Sequence, residues 1–500
     1  MGNLLSNDDD DDDDVDDDDV DDDNAGKRQA PTALSFIPHI QAYAASHGIV
    51  MVSKTDPRLV HHAPVSMLPF PFPRRLFLTA VELAEPFNFL VDAIARDEEW
   101  LLSTLSDVLA DPFTERLVRL YKEHGGSRAT QPMCLGIHRS DYMVDEPDAH
   151  VQRLRQIELN TISASFACLS ARVADLHRFL LMGPGALDGT VTGLPAAASP
   201  EAHLPPNGAE LGLAAALAQA HAWYPHRDRP RVVAFVVQEG ERNEFDQRHL
   251  EFTLFARHGV HVKRVTLANV HDRCRLRRQR LVLDGQFEIT VVYFRAAYRP
   301  EDLPGEKEWA ARALIERSLA VKCPSVGYHL AGTKKVQQAL AAPGAVERFL
   351  RPELAAQVRG CFAGLWSLGG DADEAVVRRA IEAPRGFVLK PQREGGGNNY
   401  FGDDVSAQLK RMSRDERAAH ILMERVFPKA HDVALLREGQ PQSGSGICEL
   451  GIYSVFLGDG ANPALLNKAA GHLLRTKLDG VNEGGVASGF ACLDSPFLTF

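Results

Sequence analysis

Apolar residues recur at helical spacing from Pro71 to about Leu105, where Phe87, Leu90, Val91, Ile94 and Ala95 form one stripe. Pro86 falls where a first helical turn tolerates it, and the stripe reads as plain core. Farther on the period changes. Val232–Val237 and Ile289–Phe294 are apolar, β-branched runs that predict buried strands, and the segment near Gln247 to His258 between them has helical spacing. Strand, helix and strand in that order predict a βαβ-like lobe. Further strands are expected at Phe387–Leu389, Ile421–Val426 and Ile447–Leu457. Gln156 to Asn160 alternates polar and apolar residues ahead of a Ser-rich turn, as a half-exposed strand does. Gly183 to Glu210, rich in Pro, Gly and Ala, reads as a surface connection or insertion. No internal repeat is evident, and the class is α/β with polar clusters at strand ends.

Composition sharpens this picture in three ways. With 500 residues, 45% of them hydrophobic, the chain has enough apolar surface for a large core in two or three lobes. No apolar run reaches the ~18 residues of a membrane span. The net charge of −12 comes from Asp8 to Asp23, which holds 14 aspartates interrupted only by Val15 and Val20; the rest of the chain carries +2, so charge does not support a nucleic-acid partner. Seven scattered cysteines without a CxxC pair point to reduced thiols and a cytoplasmic location. Residues 1–30 are expected to be a disordered acidic tail. Met1 to Ser6 has the spacing of an N-myristoylation signal on Gly2. One such chain partitions with a constant of only about 10⁴ M⁻¹, and anionic lipid repels the aspartates that follow. An unmodified tail is the favoured reading. No cleavable secretory signal is visible.

The most informative stretch is Lys390, Pro391, Gln392, Arg393, Glu394, Gly395, Gly396, Gly397, Asn398 and Asn399, directly after the Phe387–Leu389 strand. Backbone amides of a glycine-rich loop can cradle phosphate, and Lys390 supplies a cation. Glu394 would repel phosphate unless a divalent cation lies between them. The loop therefore suggests a nucleoside triphosphate with magnesium; it has no Walker ending. Glu158 and Asn160, two apart in a strand, share a face and are both hard oxygen donors that suit the same ion. Arg139 and Arg242 follow apolar runs and could fix carboxylates. Arg475 and Lys477 precede Gly480 to Gly489, which reads as a lid; His472 reads as structural.

Taken in order, these blocks resemble eukaryotic glutathione synthetase from about residue 35 to the C-terminus. The resemblance is carried by His138 to Met143, Gln156 to Phe166, Glu241 to Asn243 with Phe245 to Gln247, Val292 to Arg295, Leu330 to Gln338, Lys390 to Asn399, His472 to Lys477 and Gly484 to Ala487. It implies an ATP-grasp-type fold with an inserted βαβ substrate lobe and a glycine-rich lid. It further implies a homodimer that joins γ-glutamylcysteine to glycine with ATP and Mg²⁺. The domain reading it implies is 31–229 as an N-terminal ligase region, 230–333 as the substrate-binding lobe and 334–500 as the ATP-grasp region.

By resemblance, Glu158, Asn160 and Glu394 hold Mg²⁺. ATP lies against Glu158, Lys334, the Lys390–Asn399 loop, Phe401, Met423, Glu424, Arg425, Val426, Glu449, Lys477 and Glu483. γ-Glutamylcysteine lies near Arg139, Ile162, Ser163, Ala164, Ser165, Glu241, Arg242, Asn243, Gln247, Arg295, Ala296, Ala297, Tyr298 and Arg475, and Val486 and Ala487 sit beside the acceptor. Arg475, Lys334 and Lys390 are the catalytic cations. Four departures stand out: Ala296 and Ala297 where Asp-Gly or Ala-Gly is familiar, the order Tyr400-Phe401, Glu483 where some members have Asp, and Arg425 for the usual Lys. The alternatives are a ligase for another acceptor, β-alanine or serine, and a non-catalytic nucleotide-binding scaffold; turnover with each acceptor separates them.

Overall fold

The computed structural model describes residues 33–148, 151–183, 200–370, 373–392 and 399–500. The acidic run, Gly2, much of the Gly183–Glu210 stretch and Arg393 to Asn398 with Glu394 lie outside the described residues.

A 13-stranded mixed sheet organises the molecule. At its centre Gln440–Gly458 runs antiparallel to both Leu466–Leu478 and Cys134–Asp148. The central strand shows why both sheet faces are covered. Leu450, Ile452 and Phe456 pack with Leu90 and Ile94 of the helix Ala84–Arg96 in one apolar core. Tyr453, Val455 and Leu457 project oppositely into a second core, with Leu169 of the helix Ala167–Met182 and Leu213 of the helix Ala209–Trp223. The period-2 alternation thus splits one apolar run between two cores.

The expected strands at Val232–Val237 and Ile289–Phe294 are Arg231–Val236 and Phe287–Phe294, paired in parallel, with the helix Glu244–His258 between them in sequence. An additional strand, Val262–Val265, pairs in parallel with Arg231–Val236. The hairpin Cys274–Arg277 with Arg280–Leu283 extends the other edge. Through Val321–Cys323 these strands join the large sheet.

The Pro71–Leu105 pattern resolves into the strand Phe70–Pro73 and the helices Arg74–Glu82, Ala84–Arg96 and Glu98–Leu105. Asp97 ends the second helix and caps the third by accepting from the Trp100 N–H. Of the Gly183–Glu210 stretch, the described part packs on the body: His203 stacks on Phe497 with ring centroids 4.6 Å apart, and the Asn207 amide donates to the His472 carbonyl at 2.7 Å.

A second, four-stranded sheet carries Leu365–Trp366, His420–Glu424, Phe387–Pro391 and Tyr400–Phe401 in that order. Phe387 and Leu389 enter this lobe's own core with Val377, Val405 and Leu422. Alternation turns Val388 and Lys390 toward the large sheet. No helix among the described residues is long and apolar enough to cross a membrane.

Candidate active site

Strand register assembles the floor of the site. Cys134–Asp148 and Val151–Asn160 pair with Arg139 opposite Asn160 and Asp141 opposite Glu158, so four polar side chains share one face. Gln440–Gly458 places Glu449 opposite Arg475 and Gly451 opposite Asp141. Gly451 is required there: a Cβ would lie 2.7 Å from Asp141 Oδ1 and 2.8 Å from Arg139 Cδ.

These charges form one network. Arg139 forks onto Asp141, with Nε to Oδ1 at 2.6 Å and Nη2 to Oδ2 at 2.7 Å. Arg475 donates to Asp141 Oδ2 at 3.0 Å and to Glu449 Oε1. Burial pushes the Asp141 carboxyl up, to about 6, against the pull of Arg139 and Arg475. Burial would also raise Glu158, but Lys334, Lys390, Arg475 and Arg139 outweigh it and hold this carboxyl down at about 2. Glu158 is therefore ionised, and Asn160 Nδ2 donates to it at 3.2 Å.

The small lobe forms the opposite wall. Lys390 Nζ donates to the Ile157 carbonyl at 3.0 Å, tying the two sheets together. Val388, Phe401 and Met423 to Val426 face the space between, a cleft of about 690 Å³. Phe401 lines it, whereas Tyr400 packs against the lobe core. Residues 479–488 form another wall of the cleft, and Lys477 reaches into this segment by donating to the Asn482 carbonyl at 2.7 Å. Burial lowers the Lys477 ammonium, and Glu449 and Glu483 partly restore it.

At the other end, Ile162 to Phe166 forms a braced loop. Arg295 donates to the Ala164 carbonyl at 2.6 Å and to Ser165 Oγ at 3.0 Å. Arg139 and the Tyr453 hydroxyl both donate to the Ser165 carbonyl. Asp246 accepts from the backbone N–H of Phe166, Cys168 and Leu169, capping the helix Ala167–Met182 from a distant segment. The bracing holds Ser163 at φ 52° and Phe166 at φ 72°, left-handed conformations that L residues rarely keep unaided. Ala297, one of the familiar glycine positions, also sits at φ 72°, so this departure costs roughly 1–2 kcal/mol of backbone strain.

The cleft brings together Arg139, Glu158, Asn160, Ile162 to Ser165, Glu241, Arg242, Tyr298, Lys390, Asn399, Phe401, Met423 to Val426, Glu449, Arg475, Lys477, Glu483, Val486 and Ala487. Asn243, Gln247, Arg295, Ala296, Ala297, Lys334, Pro391 and Gln392 do not line it. Lys334 is buried within reach of the Glu158 charge, and Gln392 accepts from the Lys335 N–H at 3.1 Å, bracing that helix start. Asn243 and Gln247 hold Glu241, through the Asn243 N–H at 2.7 Å and Gln247 Nε2 at 3.5 Å.

The family described as eukaryotic glutathione synthase, ATP binding domain, matches residues 32–498. The chain is 46% identical over 444 residues to the chloroplastic glutathione synthetase of Solanum lycopersicum, covering 87% of this chain and 78% of that protein. It is 41% identical to glutathione synthetase of Dictyostelium discoideum (91% and 97% covered) and 40% identical to that of Homo sapiens (91% and 94%). The chain belongs to the eukaryotic glutathione synthase family. A glutathione synthetase-like effector of Globodera pallida, solved in its apo form, shares the fold with a TM-score of 0.75 at 23% identity, covering 94% of this chain and 98% of that one. As a glutathione synthase family member the chain has an ATP-grasp type of fold and is an ATP-dependent ligase.

Several site residues of this family member escape sequence reasoning. Asp141, which neutralises two arginines, was signalled by its spacing from Arg139 on one strand face, but its second partner lies 334 residues away. Asp246 lies within the Phe245–Gln247 block but nothing local signalled its capping role, and Gln238 and Arg299 carried no local signal. Neither did Lys54 and Arg437, which with Arg242 donate to four consecutive carbonyls, Ala487 to Phe490, at the end of the glycine-rich segment.

Proposed function

We propose that this chain makes glutathione by activating the free α-carboxylate of the cysteine in γ-glutamylcysteine with ATP. A carboxylate oxygen attacks the γ-phosphorus, the bond to ADP breaks, and an acyl phosphate forms. The amine of glycine then attacks the acyl carbon, phosphate leaves with the C–O bond pair, and the amine gives up a proton. Phosphoryl transfer of this kind needs positioned charge more than a protein nucleophile. The observation that carries the reading is the convergence of Lys334, Lys390, Arg475 and Arg139 on ionised Glu158 at one end of the cleft.

In this reading Lys334 and Lys390 neutralise the phosphates and Arg475 the reacting carboxylate. Val388, Phe401 and Met423 to Val426 pack adenine. Arg139, the braced Ile162–Ser165 loop, Glu241 to Asn243 and Tyr298 hold the dipeptide. Asn243 does not line the cleft and acts in this reading through its N–H on Glu241. Ionised Glu158 and the Asn160 carboxamide fit a hard divalent cation shared with nucleotide phosphates, with Glu394 as the proposed third donor. Magnesium bound there would supply charge neutralisation. Val486 and Ala487 are small enough to favour glycine as acceptor.

We further propose a homodimer in the cytoplasm. Phe252 and Phe255, 59% and 58% exposed on one helix, and Leu211, 55% exposed on its neighbour, are the kind of apolar surface that a second copy covers. All seven cysteines are unpaired, as a reducing compartment keeps them.

Phosphate release from ATP, with Mg²⁺, γ-glutamylcysteine and each of glycine, β-alanine and serine omitted or added in turn, tests the reading. Release that requires dipeptide and glycine, with tripeptide found by mass, supports it. ATP binding without turnover overturns it.

A further inference from the structure

A basic surface lies apart from the cleft. Residues 226–231 and 261–288 contain ten arginines and lysines against four carboxylates. The hairpin Cys274–Arg277 with Arg280–Leu283 turns through Arg278 at φ 52° and Gln279 at φ 64°, which sets Arg277 opposite Arg280. Leu276 opposes Leu281, which is buried, whereas Arg275, Arg277 and Arg278 are exposed.

The local carboxylates are already engaged. Arg280 takes Asp228 and Glu288, Arg273 takes Asp284, and Lys307 takes Asp272. Arg227, Arg229, Arg231, Arg275, Arg277 and Arg278 have no ion-pair partner among the described residues. The side chains of the first four donate only to main-chain carbonyls, and those of Arg277 and Arg278 make no hydrogen bond among the described residues. The two segments are continuous: Arg229 donates to the Gly285 carbonyl at 3.1 Å, and Arg277 Nη2 lies 3.9 Å from where a Gly285 side chain would begin. Beside them an open groove of about 510 Å³ is lined by Arg227, Arg231, His221 and His258 and by no carboxylate. Burial and the neighbouring Arg227 both weaken the proton affinity of Arg231, against the opposing pull of Glu288.

The chain carries a matching polyanion. Asp8 to Asp23 supplies 14 aspartates and ends ten residues before the first described residue. At about 3.4 Å per extended residue those ten span about 34 Å, and the 25 back to Asp8 span about 85 Å. A compact 500-residue body has a radius of gyration of about 23 Å, so these lengths let the run extend over much of its surface. We propose that the Asp8–Asp23 run docks, within one chain, on the arginine surface formed by residues 227–231 and 275–278. None of these arginines lines the cleft, so the docking is separate from the ligase chemistry.

The test uses the full chain labelled with ¹⁵N-aspartate. A docked run has broad amide signals at low salt that sharpen as salt screens it. An extended aspartate run is spaced much like single-stranded nucleic acid, so removing three contacts should lower the slope of log K against log salt by about 2. The expected result is salt-dependent broadening in the natural chain that is largely lost in the Arg275→Gln, Arg277→Gln, Arg278→Gln variant and is independent of tenfold dilution. The single Arg278→Gln variant, at an exposed turn, gives a smaller change in the same direction if the triple variant folds poorly. Sharp signals at low salt overturn the proposal. So does equal broadening in the variants, which places the run on another surface, and so does dependence on protein concentration, which places it on another molecule. No arm reads ligase activity, so a failed ligase assay and a failed docking assay are distinguishable.

Discussion

Arg437→Gln tests how the glycine-rich segment is held over the cleft. The Arg437 guanidinium donates to the Gly489 carbonyl at 2.6 Å and the Phe490 carbonyl at 2.7 Å, while Lys54 Nζ holds Ser488 at 3.1 Å and Arg242 holds Ala487. Arg437 ends the strand His431–Arg437, which pairs with a neighbour on each side and sets Arg437 opposite Gln440, so the anchor comes from the large sheet. A hydrogen bond from a charged group is worth about 1.5–3 kcal/mol when buried. Arg437 is only partly buried, so about 1 kcal/mol each is the appropriate scale. Losing both shifts the placed and displaced lid by about 2 kcal/mol, a factor of about 30. Steady-state kinetics with ATP saturating should show kcat/KM for the amino-acid acceptor falling by up to that factor. The dissociation constant for ATP, measured calorimetrically without dipeptide, should change by less than about twofold. Arg437→Lys, which keeps charge but loses the fork, should recover part of the loss. An unchanged acceptor kcat/KM, or an equal loss of ATP affinity, would refute the idea that these bonds place the lid.

Three further outcomes follow from the site and its surroundings. Glu158, held at about 2 against an ordinary 4.5, contributes stability that is full above pH 4.5 and lost as pH falls toward 2; acid melts of Glu158→Gln should lack that slope, and its turnover should fall by at least about 100-fold. Asp494 accepts from Thr476 Oγ1 at 2.6 Å, and burial raises its carboxyl to about 7, so the folded state holds a proton that the unfolded state has released. Stability from this group falls as pH rises from about 4 to 7, and Asp494→Asn should therefore match the natural protein below about pH 4 and melt increasingly higher than it from there to about pH 7, staying higher at pH 8. Ala297→Gly relieves left-handed strain of roughly 1–2 kcal/mol but exposes the space of one buried methyl, worth about 0.8 kcal/mol, so its melting temperature should be equal or slightly higher, whereas Ala297→Val should lower it sharply.

The elements legible in the sequence are those with local periodicity. Val232–Val237, Ile289–Phe294, Phe387–Leu389, Ile421–Val426 and Ile447–Leu457 each contain enough apolar residues to demand burial, and each falls on a strand, although Val237, Arg425 and Val426 lie past the strand ends. Val262–Val265 and the arginine-rich hairpin were not legible, because only alternate residues face a core and the others are charged. The family was legible because the blocks that carry the resemblance, such as Lys390–Asn399 and His472–Lys477, are short runs of sequence. What only the tertiary structure decided is the charge network. Which cation neutralises Asp141, which carboxylate caps the Ala167–Met182 helix, and which arginine anchors Gly489 all depend on registers between strands and on helix docking across tens to hundreds of residues. A local pattern states that a polar side chain leaves a strand toward a given face. Its charge environment is set by the neighbours that long-range pairing brings to that face, and low-dielectric burial makes those neighbours decisive.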